Sequence, residues 1–225
     1  MLQAVLRRLI EHVGALPGDV CGTLTPHIPG PRPDLRTAAA IAAAVWACLL
    51  CAVPGASAEA ESELWAALRS GGHAALLRHA VAPGTGDPPG FVLGDCGTQR
   101  NLSEEGREQA KRIGALLRAN GISSARVFAS QWCRCLETAR LLGLGPVAEL
   151  PALNSFFANP EHGAEQTRAL REWLAGQPSG DPVVLVSHQV NITALTGVFP
   201  RSGELVVLRR TPSGHLEMAG TIQPP

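Results

Sequence analysis

The run Pro182-Val183-Val184-Leu185-Val186 constrains the fold more than any other stretch of this chain. A continuous apolar strand is buried on both faces, so it belongs inside a sheet covered by helices on either side. The rest of the pattern supplies such neighbours. Short apolar runs at 74–77, 126–130 and 147–150 alternate with amphipathic stretches at 103–120, 132–142, 166–175 and 189–196, which predicts a βαβ-type α/β fold. Ser103 is a suitable N-cap, with Glu104 and Glu105 in the first turn, where the helix dipole favours them. Ala110, Ile113, Gly114 and Leu117 form the apolar stripe of that helix, and Asn120-Gly121 stops it. Residues 147–150 are expected at a sheet edge, and 204–208 with 214–219 as a terminal hairpin.

The first 58 residues have a different character. Residues 37–58 carry no charge, follow Arg32 and Arg36, and end in Ala56-Ser57-Ala58. A basic flank, a short apolar run and a small-x-small site together predict a secretory signal peptide with cleavage after Ala58. The run from Ala38 to Val53 is shorter than the ~20 residues that span a bilayer comfortably. Residues 1–36 are an unusual leader, proline-rich from Pro26 to Pro33; a translation start near Leu35 would give a conventional signal, and otherwise this stretch is read as disordered. The expected organisation is therefore an upstream segment (1–36), a signal peptide (37–58) and one domain (59–225). The corresponding location is periplasmic or secreted, with membrane contact only through the signal segment.

Basic and acidic residues balance at 19 each, and no basic run occurs, so nucleic acid is set aside as a partner. The domain keeps Cys96, Cys133 and Cys135, which allow at most one internal bridge. Cys96 pairing with Cys133 or Cys135 would tie the loop at 82–97 to the start of the helix at 132–142, which bears Arg134; three free thiols are the alternative.

Several polar groups fall at one kind of place, the C-terminal end of a predicted strand. Arg78-His79 follows the first strand, Ser130 and Arg134 the second, and Ser187-His188 the buried VVLV strand. Carboxyl ends of strands line the ligand crevice of an open α/β sheet. Two arginines meeting there call for an anion that accepts forked hydrogen bonds, and phosphate fits. Taken singly, such a histidine is more often a hydrogen-bonded structural group and such an arginine a solvated one. Their shared edge is what separates these residues from that background.

The segments around these residues resemble the histidine phosphatase (phosphoglycerate mutase-like) superfamily. Leu77-Arg78-His79-Ala80 is similar to its R-H signature, and 100–110 (RNLSEEGREQA) to its R-x-L-[ST]-x-x-G-x-x-Q-A segment. Residues 130–139 (SQWCRCLETA) resemble S-x-x-x-R-x-x-x-T-A, and Val186-Ser187-His188 the late S-H motif. The resemblance implies a three-layer α/β/α sandwich around a mostly parallel sheet and a phosphohistidine intermediate. By motif, His79 is the nucleophile, and Arg78, Arg134 and His188 bind the substrate's phosphoryl group. The expected activity is phosphomonoester hydrolysis, with a small phosphorylated molecule or a phosphorylated envelope component as substrate. Arginines and a protonated histidine would supply the positive charge, and no metal or other cofactor is expected.

One departure from the pattern bears on the substrate. Asn154 stands where the mutase-type branch carries a glutamate acid, and Gln189 stands where the acid phosphatase branch carries an aspartate. Asp87, Asp95 and Glu161 are loop carboxylates available for that role. A non-catalytic phosphate-binding module on the same fold is the rival reading, and a mutase is a third.

Overall fold

The computed structural model describes residues 55–211 and 214–225. The upstream segment and the apolar run of the signal segment lie outside the described residues, as do Cys48 and Cys51. The chain proceeds through α1 (Gly55–Arg69), β1 (His73–Arg78), a 3-10 turn at Cys96–Thr98, α2 (Glu104–Ala119), β2 (Arg126–Ala129) and α3 (Cys133–Leu142). It continues with β3 (Val147–Glu149), 3-10 turns at Pro151–Leu153 and Pro160–His162, α4 (Gly163–Ala175), β4 (Val183–Ser187), α5 (Gln189–Thr196), β5 (Leu205–Arg210) and β6 (Leu216–Ile222).

The six strands form one sheet in the order β3-β2-β4-β1-β5-β6. β1, β2, β3 and β4 pair in parallel, while β5 runs antiparallel to β1 and to β6. As expected from its apolar run, β4 is central and buried at every position. Alternate residues of each strand face opposite layers. Ala75, Leu77, Val184 and Val186 pack with Trp65 and Leu68 of α1, Ile113 and Leu117 of α2, and Leu136 and Leu142 of α3. On the other face, Leu76, Leu185 and Val206 pack with Leu170 and Leu174 of α4 and Ile192 of α5. This is the expected three-layer α/β/α sandwich.

Two features position the site. The helices after β1 and β4 cover opposite faces of the sheet, so a crevice opens between the adjacent ends of these two strands. In addition, α2 lies backbone to backbone against its neighbours. A Cβ at Gly106 would sit 2.0 Å from the Val81 carbonyl oxygen, and one at Gly114 would sit 2.1 Å from that of Leu142. Only glycine allows either approach.

Candidate active site

Register brings the strand ends together. Arg78 of β1 pairs with Ser187 of β4, and the His79 amide donates to the Ser187 carbonyl at 3.0 Å. The next residue on each strand is a histidine, and the His79 and His188 rings are 5.5 Å apart. Arg134, in the first turn of α3, brings Nη2 within 3.4 Å of His188 Nδ1. His79, Arg134 and His188 are almost wholly buried, and Arg78 is half-buried. All four line one cavity of about 500 Å³, a size typical of small-ligand sites.

The segment after β1 is held from several sides. Thr138 Oγ1 accepts from the Ala80 amide at 3.1 Å and donates to the Arg134 carbonyl at 2.7 Å. Gln109 Oε1 accepts from the Val81 amide at 3.0 Å, and the Ser103 amide donates to the Val81 carbonyl at 3.1 Å. The threonine, glutamine and glycine that recur in the sequence segments at 100–110 and 130–139 thus act on residues 80 and 81. They fix the backbone that carries His79.

Hydrogen bonding assigns the histidine tautomers. His79 Nδ1 lies 2.8 Å from the Ala80 carbonyl oxygen, which can only accept, so Nδ1 carries the proton and Nε2 keeps a lone pair. Burial, reinforced by the charges of Arg134, Arg100 and Arg78, pushes the His79 pKa down to about 3, against the opposing pull of the Ala80 carbonyl. The ring is neutral at neutral pH.

His188 is oriented through a chain that ends at Asn154. Asn154 Oδ1 accepts from the Gln131 amide at 2.9 Å, while Nδ2 donates to Gln131 Oε1 at 2.8 Å. Ser130 Oγ donates to the same Oδ1 at 3.3 Å and therefore accepts from His188 Nε2, 2.9 Å away. His188 Nδ1 is left to accept from Arg134. Burial, the neighbouring His79 and the arginines hold the His188 pKa well below the ordinary value. The sequence-based expectation of a protonated histidine is thus corrected for the free site, since desolvation and like charges disfavour the imidazolium. Positive charge comes from arginine instead.

Arg100 and Trp132, which were not singled out from sequence, and Asp87, one of the three candidate loop carboxylates, complete the site. Arg100 lines the cavity and donates to the carbonyls of Gly86, at 2.6 Å, and of Ala82. It opens the R-x-L-[ST] segment, which was the available signal. Asp87 bridges Arg134 Nη1 at 2.7 Å and Nη2 at 3.2 Å, and accepts from Trp132 Nε1 at 3.0 Å. Burial alone would raise the Asp87 pKa, but hydrogen bonds from Arg134 and Trp132 outweigh it and hold the carboxyl below its usual range. Asp95 instead caps the 3-10 turn at Cys96–Thr98, and Glu161 is exposed; neither lines the cavity. Of the two pairings expected for Cys96, the structure has Cys96–Cys133. Cys135 is a buried thiol that desolvation raises to about 12.

The arrangement is suited to an anion. Arg78, Arg100 and Arg134 converge on one end of the cavity, and the Nε groups of Arg78 and Arg134 are buried without a partner among the described residues. Guanidinium groups lining a cavity beside a neutral imidazole lone pair are what a phosphoryl group would engage.

Comparison with known proteins agrees with this geometry. Residues 75–163 match the family model of the histidine phosphatase superfamily (branch 1). A phosphoserine phosphatase from Entamoeba histolytica, solved with phosphoserine, is similar at 15% identity over 66% of this chain and 95% of that one, with a TM-score of 0.50. Mycobacterial hydrolase 1 is similar at 17% identity over 66% of this chain and 95% of that one, with a TM-score of 0.50. The protein histidine phosphatase SixA, in complex with tungstate, aligns at 17% identity over 68% of this chain and 97% of that one, with a TM-score of 0.49. No curated protein matches the sequence. With these segments in order along the sequence and gathered around one cavity at the strand ends, it is residues 75–163 that carry the match to the histidine phosphatase superfamily.

Proposed function

We propose that the chain is an exported phosphomonoesterase acting on an envelope or extracellular phosphoester through a phosphohistidine on His79. The observation that carries the reading is the His79 ring, held neutral with its proton on Nδ1 and its Nε2 lone pair free, in a cavity that Arg78, Arg100 and Arg134 also line. Nε2 attacks phosphorus and the bond to the leaving oxygen breaks. Water then attacks phosphorus as the phosphorus–nitrogen bond breaks, giving up a proton to the Asp87 carboxylate, releasing phosphate and restoring the imidazole. Arg78 and Arg134 hold the transferring group and balance charge on its equatorial oxygens, and His188 joins them as a donor once the bound dianion raises its pKa and Nδ1 takes a proton.

Asp87, the carboxylate that lines the cavity, is the proton donor to the leaving oxygen in this reading. In the free site Arg134 and Trp132 keep it ionised. A phosphoryl group that takes over the donors of Arg134 removes that stabilisation and adds negative charge beside Asp87, and both effects raise its pKa.

Rapid acid-free quenching with a labelled phosphoester, followed by mapping of acid-labile phosphate, tests the scheme. Label is expected on His79. His79→Ala should abolish turnover, Arg134→Ala should lower it by about 100-fold, and Asp87→Asn should slow alkyl esters by about 100-fold while sparing p-nitrophenyl phosphate. Label on His188, or full turnover by His79→Ala, would exclude the mechanism. Binding with no burst and no turnover would favour a phosphate-binding module, a reading motivated by Asn154 and Gln189 at the usual acid positions.

A further inference from the structure

The cavity is chemically two-ended. Its charged lining residues, Arg78, Arg100, Arg134 and Asp87, gather with the two histidines at the strand ends. Every other lining residue is uncharged. Phe91 stacks on Trp132 with the rings 5.0 Å apart and 18° from parallel. The indole N–H of Trp132 is in turn fixed on Asp87, so the plane of the stack is tied to the phosphate end. Phe157 lines the same cavity, 55% exposed, with its ring edge 3.7 Å from where a Cβ on Gly86 would lie. Pro88, Ala158 and Val190 extend the same apolar lining.

This shelf is rigid before any ligand arrives. The Cys96–Cys133 bridge ties the loop carrying Phe91 to the helix following Trp132. Gln99 reinforces the tie, accepting from the Cys133 amide at 2.9 Å and donating to the Val92 carbonyl at 3.1 Å. An apolar wall held in place binds a flat hydrophobic group without the cost of ordering itself. By contrast, a second phosphate or a carboxylate on the leaving group would lose water and meet no further cation.

We infer, resting on the phosphatase reading above, that the site selects phosphomonoesters whose leaving group is uncharged and aromatic, received by Phe91, Trp132 and Phe157. Phosphoglycerate-like and bisphosphate substrates are disfavoured by the same lining.

The test uses the full chain with esters of similar leaving-group basicity, so that reactivity does not imitate recognition. Phenethyl phosphate is compared with glycerol 3-phosphate and 3-phosphoglycerate, by kcat/KM on the native protein and by calorimetric Kd on His79→Ala. Phenethyl phosphate should be favoured by about tenfold or more in both measurements, the scale of a filled apolar pocket. Phe157→Ala and Phe91→Ala should each shrink that ratio several-fold. The inference is overturned if the three esters are handled alike, if a charged leaving group is preferred, or if neither phenylalanine variant changes the ratio. The two readings fail separately. Preferential binding with no turnover of any ester would leave the ligand class standing and remove the phosphatase reading, whereas turnover without preference would do the reverse.

Discussion

Two imidazoles buried beside three guanidiniums make the site sensitive to acid in a specific direction. A depressed pKa means that the folded protein binds fewer protons than the unfolded chain between about 3 and the ordinary histidine value. Stability from His79 is therefore fully present above the unfolded value near 6.5 and is lost as pH falls through that window. His79 ring resonances should stay at their neutral positions from about pH 8 to 5, and urea midpoints should fall over the acid part of that range. His79→Gln should make that fall shallower by about one proton's worth of slope. A ring titrating near its ordinary value would refute the assignment. Much at this scale was legible in the sequence, because Arg78, His79, Arg134 and His188 all follow predicted strands. Asp87 was only one of three candidate loop carboxylates and Trp132 was not recognised as a site residue, because a loop returns to the site by contacts that have no sequence period. Nor did Asn154 reveal its place. As a missing carboxylate it reads as a loss, yet its carbonyl orients Ser130 and so the proton on His188.

At the scale of elements, the loop between β1 and α2 is the segment on which recognition depends, and its disulfide closes a ring of 37 residues. Cys96→Ser with Cys133→Ser should cost about 3–4 kcal/mol of stability by the loop-entropy relation. It should also raise KM more than it lowers kcat for an aromatic ester, since the shelf loosens while His79 stays anchored from α2 and α3. Urea unfolding and steady-state kinetics read both effects. Denatured native protein should contain one titratable thiol among Cys96, Cys133 and Cys135, and three would contradict the bridge. Most elements matched their patterns: α5 spans the residues expected, and β5 with β6 form the terminal hairpin. Helix α1 was not foreseen. Its core contribution is a narrow stripe, chiefly Trp65 and Leu68, so the periodic signal is weak. Similarly, α4 begins at Gly163 rather than near Gln166, because a 3-10 turn leads into it.

At the scale of the whole molecule, the described domain can lose its first residues without loss to the core. Cleavage after Ala58 removes the first turn of α1 and leaves Trp65 and Leu68 in place. N-terminal sequencing of the secreted fraction is expected to begin at Glu59, and retention of the full chain in the membrane would exclude that processing. The layered architecture was readable from alternating patterns, but the strand order was not. β4 enters between β2 and β1, partners far from it in sequence, and nothing local encodes the insertion. Helix α2 illustrates what such placement demands. At Gly106 and Gly114 its backbone meets that of Val81 and Leu142 directly, with no side chain between them. The helix therefore works as a gauge, setting the depth of residues 79–81 by its own thickness and not by the size of any side chain. Its outward face is free to drift in sequence, whereas a single methyl group at either glycine would shift the calibration of a centre that the helix itself does not line.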